Sequence, residues 1–318
     1  MASRVSLAFR TSFISRFEEM SEENFVTLPS GCRICYQVFG NSTNTAILLI
    51  SGHSCAMTQK TDGLVSLLSP PGRPHCIIRF DHRDTGRSTS FAKPSDGAPV
   101  YTLDEMVDDI VGLIKHLELS SVHLVGTSLG GTLAWQTASR LPNVVRSLAL
   151  VLTSPVGRQQ LPSDNLPQVK LEGQWLLAEA YEIPEDRNDD EGWIESYMRL
   201  DLALATQPPT EEEKAESRRE SEITYYREKE SGTMWTKYNH SDASGVRWPR
   251  ELLKQIRCPT VVIHAAKDQI FPLEHAEALR DDVDGATLVV LEDCGHEIPH
   301  RVRQRMADAI LSNVKKGE

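Results

Sequence analysis

The chain has 318 residues, 34 lysines and arginines against 45 aspartates and glutamates, and a formal net charge of −11. That acidity disfavours a surface for nucleic acid or an anionic membrane, and no apolar run is long enough to cross a bilayer. Six cysteines in a chain without the apolar stretch of a secretory signal argue against a disulfide framework.

The first segment, residues 1–23, reads as an N-terminal extension. It carries Arg4, Arg10 and Arg16, several serines and no acid before Glu18, a weak likeness to a mitochondrial presequence. Arg16 falls on the apolar stripe of Val5, Phe9 and Phe13, so the amphipathic pattern is imperfect. The expectation is a soluble cytoplasmic protein, with mitochondrial import as the alternative.

From residue 24 to 154, strand and helix signals alternate, as in the first part of an α/β core. Cys32-Arg33-Ile34-Cys35 lies in a strand pattern, where positions three apart face opposite sides. With no second pair to complete a zinc site, both thiols are expected to be inert. Ala46–Ile50 is a buried-strand run that opens into Ser51-Gly52-His53-Ser54-Cys55. Thr102-Leu103-Asp104-Glu105 is a capping-box pattern, followed by Met106, Val107, Ile110, Val111, Ile114 and Leu117 at helical spacing.

Next comes the most informative stretch. Ser121–Val125 reads as a buried strand feeding Gly126-Thr127-Ser128-Leu129-Gly130 and then a helix, the context of a G-x-S-x-G nucleophile elbow. Ser128 on such a turn needs neighbours without bulk, which Gly126 and Gly130 provide. The helix that follows aims free N–H groups at charge developing on a substrate carbonyl. A serine hydroxyl needs a histidine base, and the histidine needs an acid to fix its tautomer, both downstream in the order Ser, Asp, His.

Val145–Leu152 reads as a sixth strand, and then strand signals stop until Val261. Residues 155–250 are polar and helical, the place for an inserted cap. Its charge runs Glu211-Glu212-Glu213-Lys214 and Arg218-Arg219-Glu220 are expected on a solvated face. Trp175, Trp193 and Trp235 are candidates for pocket walls, although packing of the cap onto the core is the plainer reading.

The second part of the core, residues 251–318, supplies the partners. Thr260–Ala266 is a buried strand that ends at Lys267-Asp268-Gln269, and Ala286–Leu291 ends at Glu292-Asp293-Cys294-Gly295-His296. Ser128, Asp268 and His296 thus all follow strand ends, where open α/β sheets bind ligands, and they are the predicted triad. The rivals are His300, which follows Pro299 and begins the last helix, and the acids Asp293 and Asp242. His264 reads as a packed strand residue. The expected oxyanion donors are the backbone N–H groups of Leu129 and, in the glycine-containing loop after Ile50, His53.

These motifs and their order resemble the α/β-hydrolase superfamily over about residues 25–155 and 256–315. Arg79-Phe80-Asp81-His82-Arg83-Asp84-Thr85-Gly86-Arg87-Ser88-Thr89 is similar to the loop after the fourth strand in its aclacinomycin methylesterase-like branch. The resemblance implies a mostly parallel eight-stranded sheet flanked by helices with an inserted helical cap. It makes Asp81, Arg83 and Asp84 scaffold, with Asp84 standing where most relatives have glycine. Ser51 departs from the histidine that many relatives carry before the oxyanion-loop glycine.

The implied activity is hydrolysis of an apolar small-molecule carboxylic ester, such as a methyl ester or lactone of a polyketide-like or other secondary metabolite. The alternatives are C–C bond hydrolysis, thioester release or cyclisation by the same triad, and a hydrolase-like ligand sensor. No G-x-G-x-x-G after a strand and no phosphate loop appears, so no cofactor and no metal is expected. Oligomeric state is not legible.

Overall fold

The computed structural model describes residues 22–70, 75–156, 160–181, 184–186, 188–243 and 248–318. The presequence expectation rests on residues 1–21, which lie outside them. In chain order the first half runs β1 (Asn24–Thr27), β2 (Arg33–Phe39), β3 (Ala46–Ile50), α1 (Asp62–Leu68), β4 (Cys76–Phe80), α2 (Leu103–His116), β5 (Val122–Thr127), α3 (Leu129–Arg140) and β6 (Val145–Val151). An insertion follows, with α4 (Glu172–Ala180), α5 (Asp190–Leu202), α6 (Glu211–Ser231), α7 (Thr233–Thr236) and α8 (Asn239–Ala243). The chain then returns through β7 (Thr260–Ala265), α9 (Leu273–Asp282), β8 (Thr287–Leu291) and α10 (His300–Gly317).

The eight strands form one sheet in the order β1-β2-β4-β3-β5-β6-β7-β8. The β1–β2 and β2–β4 pairs are antiparallel and the others parallel. Continuous apolar runs suit these strands because helices cover both faces. In β3, Leu48 and Ile50 enter the core cluster under α2 and α3, whereas Ile47 and Leu49 enter the cluster under α1 and α10. The same alternation sends Leu148 and Leu150 of β6 one way and Ala149 and Val151 the other.

Helix α2 begins at the predicted capping box: Thr102 Oγ1 accepts the Glu105 N–H at 3.3 Å, and Glu105 Oε2 accepts the Thr102 N–H at 2.8 Å. Both cysteines of the C-x-x-C pair are buried. Cys32 packs in the core, Cys35 lies 3.6 Å from the Arg227 guanidinium, and burial pushes both thiols up.

The loop after β4 ties the layers together. Arg83 reaches Asp109 of α2 through two hydrogen bonds of 2.6 and 2.9 Å. Asp84 has φ of 65°, the left-handed region that favours glycine. Its carboxylate accepts the Phe91 N–H at 2.6 Å and the Asn239 amide at 3.0 Å. Asp81 is fully buried and accepts N–H groups from Met57 and Arg87, and Arg227 of α6 donates to it at 2.7 Å. This pair pins the insertion to the core. Arg227→Met leaves a buried carboxylate without its cation, a loss of about 3–5 kcal/mol, to be read by chemical denaturation against the unmodified chain.

The insertion has a small core of its own, formed by Trp193, Ile194, Tyr197, Tyr225 and Met234. Its charge runs depart from expectation in part. The Lys214–Glu211 and Arg218–Glu191 pairs are exposed. Glu220, in contrast, is 4% exposed and accepts the Lys60 N–H at 2.9 Å, and between the two runs Glu216 holds Arg303 and His300 of α10. A helix lying across the core must bury one face, so part of any charge run along it goes inward. Among the described residues, no helix is long and apolar enough to cross a membrane.

Candidate active site

Strand β3 lies between β4 and β5, so the connections leaving β3 and β5 diverge and open a crevice at their carboxyl ends. Ser128 sits there, at the junction of β5 and α3, with φ 53° and ψ −119°. This is a strained conformation for a residue with a Cβ. It is held by the Ser128 N–H donating to Val151 O at 2.9 Å and by Thr153 Oγ1 donating to Ser128 O at 2.7 Å.

The two flanking glycines are needed for space. A Cβ on Gly126 would lie 2.6 Å from the Gly130 carbonyl carbon, and one on Gly130 would lie 2.7 Å from that of Ile50. Gly52 comes close from the opposite side, where a Cβ would stand 3.5 Å from Ser128 Cβ.

The structure brings the three predicted side chains together. His296 Nε2 is 3.1 Å from Ser128 Oγ, and its Nδ1 is 2.9 Å from Asp268 Oδ2. The other Asp268 oxygen accepts the N–H groups of Ile270 and Phe271 at 2.7 and 2.8 Å, which locks the carboxylate's orientation. Burial alone would raise the Asp268 carboxyl, but the attraction and hydrogen bond of His296, with His264 and the Ile270 N–H, together hold it below the ordinary value. The His296 N–H donates to Gln269 Oε1 at 2.9 Å, fixing the loop that carries the ring. With Nδ1 donating to Asp268, Nε2 is left as an acceptor toward the Ser128 hydroxyl.

The rivals lie elsewhere. His300 starts α10 and pairs with Glu216 at 2.7 Å. Asp293 is exposed and Asp242 half-buried, and they face Lys267 and Lys93. His264 is buried behind Asp268, and its Nε2 donates to Phe271 O at 3.0 Å.

Leu129 is the first residue of α3, so its N–H has no carbonyl one turn back. His53 follows Gly52 across from Ser128. Its loop is held by two buried histidines that the sequence reading passed over. The Ser54 N–H donates to His240 Nδ1 at 3.0 Å while His240 Nε2 donates to Arg83 O at 2.8 Å, and His82 Nε2 donates to Ser51 O at 3.1 Å. Burial pushes His240 down to about 4 and His82 down to about 3. His240 therefore stays neutral at neutral pH, in the tautomer that lets Nδ1 accept from Ser54.

A cavity of about 530 Å³ opens above Ser128 and His296. Its walls are largely apolar, with Leu64, Val125, Leu152 and Ile270 from the core side and Leu177, Leu200 and Leu204 from the insertion. Tyr181, Tyr197 and Tyr238 supply the aromatic lining.

The tryptophans predicted to line the pocket do not. Trp175 is exposed on α4, Trp193 is buried in the insertion's own core, and Trp235 is half-exposed, edge-on to Trp193 with ring centroids 5.1 Å apart. The lining positions are set by how α4 and α5 dock, which no local pattern encodes. Among the described residues, no group of His, Cys, Asp and Glu side chains is arranged to hold a metal ion.

The model of the alpha/beta hydrolase fold family matches residues 55–300. The chain is 27% identical over 296 residues to rhodomycin D methylesterase from Streptomyces sp. (strain C5), covering 87% of this chain and 93% of that protein. It is 28% identical over 217 residues to 2-hydroxymuconate semialdehyde hydrolase from Pseudomonas sp. (strain CF600), covering 66% of this chain and 68% of that one. An esterase from Exiguobacterium antarcticum superposes with a TM-score of 0.68 at 20% identity, covering 92% of this chain and all of the other, a likeness of fold. The chain therefore belongs to the α/β-hydrolase fold family, as an enzyme whose relatives include a methylesterase.

Proposed function

We propose that the protein hydrolyses a carboxylic ester through an acyl-enzyme on Ser128. The observation that carries this reading is the continuous hydrogen-bonded line from Ser128 Oγ through His296 to Asp268 at the floor of a largely apolar cavity. In this mechanism His296 takes the Ser128 proton as Oγ attacks the carbonyl. Asp268 stabilises the imidazolium, and the N–H groups of Leu129 and His53 hold the oxyanion. The protonated His296 then delivers its proton to the leaving alcohol, and water releases the acid by the same steps in reverse order.

Residues 155–250 act as the cap that closes the acyl or alcohol pocket. The cavity's size and lining suit a bulky apolar small molecule. The methylesterase relative favours a methyl ester or lactone of a polyketide-like or other secondary metabolite. The semialdehyde hydrolase relative supports C–C bond hydrolysis by the same triad as the second reading. The test is turnover of a panel of p-nitrophenyl and methyl esters beside a vinylogous 1,5-diketone. Ester turnover alone supports the first reading, and diketone cleavage without ester turnover supports the second.

His240 positions the oxyanion loop in this mechanism without touching substrate. Its replacement by alanine frees the Ser54 N–H and loosens the neighbouring His53 amide. An oxyanion donor is typically worth about two to three orders of magnitude in turnover, so partial loss is expected to lower kcat about ten- to a hundredfold with a smaller change in KM. His240→Asn, which keeps an acceptor near the Nδ1 position, is expected to recover much of the loss. Rates are taken per site titrated with a fluorophosphonate. A role in stability alone would leave kcat per titrated site unchanged.

A further inference from the structure

Polar side chains interrupt the apolar wall of the cavity at several places, among them Gln59, Thr61 and Glu297, and one group of them lies on and beside α5. Helix α5 turns Tyr197, Leu200 and Asp201 toward it at i, i+3 and i+4 spacing, so a carboxylate stands one turn beyond a tyrosine. A lysine flanks each polar group. Lys60 Nζ lies 3.2 Å from Asp201 Oδ1, and Lys237 Nζ lies 3.7 Å from the centre of the Tyr197 ring. Lys237 also pairs with Glu228 at 3.0 Å, with both side chains buried. Lys60, Asp201, Lys237 and Glu228 are the charges that act on the Cys55 thiol, so this ridge runs beside the loop that carries His53.

An ammonium has three N–H donors. Among the described residues, Glu228 is the one hydrogen-bond acceptor for Lys237, and the Tyr197 ring covers another direction. Keeping a charged group at an apolar cavity wall is costly unless its donors are used. The two lysines are each matched by a carboxylate, which leaves the ridge close to neutral. It thus suits an uncharged oxygen better than a second carboxylate.

We propose that the ridge of Lys237, Tyr197, Asp201 and Lys60 binds a ketone or hydroxyl oxygen of the substrate. The preferred ester is then an apolar body with an oxygen substituent near the reacting carbonyl, and a plain hydrocarbon acyl chain is the poorer ligand. This specificity rests on the ester reading of the Ser128 site.

The test is calorimetric binding of methyl octanoate, methyl 3-oxooctanoate and methyl 3-hydroxyoctanoate to Ser128→Ala protein. At least one oxygenated ester is expected to bind about tenfold tighter than methyl octanoate, the size of one hydrogen bond to a charged group. Adding Lys237→Met with Glu228→Gln, which removes the charge pair together, is expected to bring that ratio to within about twofold of one. Equal affinities for the three esters in Ser128→Ala protein overturn the proposal, whether or not the further variant folds. A preference that survives in the folded variant overturns its assignment to this ridge. Binding is read without turnover, so a failed ester reading shows separately, as unmodified protein that turns over no ester.

Discussion

Ser128→Ala is expected to lower ester turnover by about five to six orders of magnitude, the loss typical of removing a nucleophile whose partners act as a unit. The protein should stay folded, because Ser128 is held through its backbone: its N–H reaches Val151 O and its carbonyl accepts from Thr153. Steady-state kinetics on the best ester of the panel, with thermal melts alongside, check both halves. A folded variant with more than about a hundredth of the parent rate would contradict the role of Ser128.

Asp268→Asn is expected to cost about four orders of magnitude in kcat, and the reason lies in its two oxygens. Oδ1 is committed to the N–H groups of Ile270 and Phe271. The new amide NH₂ of asparagine must therefore point at His296 Nδ1. There it repels an Nδ1–H and favours the tautomer with the proton on Nε2, which cannot accept from Ser128. Replacing Asp293 or Asp242 the same way is expected to change kcat by less than about twofold, since each pairs with a lysine at the surface and, among the described residues, neither is hydrogen-bonded to Ser128, His296 or Asp268. The comparison of the three variants separates the acid that orients His296 from its two rivals by rate alone.

The residues that were legible in sequence share a property: each follows a strand end marked by its own local pattern. The run Val122–Thr127, with Gly126 in it and Gly130 after it, announces Ser128, and the buried strand β7 and the half-buried edge strand β8 put Asp268 and His296 at the carboxyl ends of neighbouring strands. A parallel sheet converts such local signals into proximity, because carboxyl ends line up. Asp84 was legible as scaffold only through the family resemblance of the Arg79–Thr89 loop, and its φ of 65° accounts for the glycine that most relatives carry there.

The cavity walls were not legible, because they depend on how helices of the insertion dock. Trp193 and Tyr197 sit one turn apart on α5 and share the insertion's core, yet only Tyr197 reaches the cavity. Glu220 belongs to a run that looks solvated and is nevertheless buried against Lys60. His240 lies in a polar stretch with no motif around it. Its role depends on a contact with Ser54, 186 residues away in sequence.

The central claim is that Ser128 is an activated nucleophile, and intact-mass spectrometry after exposure to a fluorophosphonate tests it most directly. The account predicts a single adduct that maps to the peptide containing Ser128, absent from Ser128→Ala and slowed by Asp268→Asn. Folded protein that gains no adduct, or gains it equally in Ser128→Ala, would contradict it.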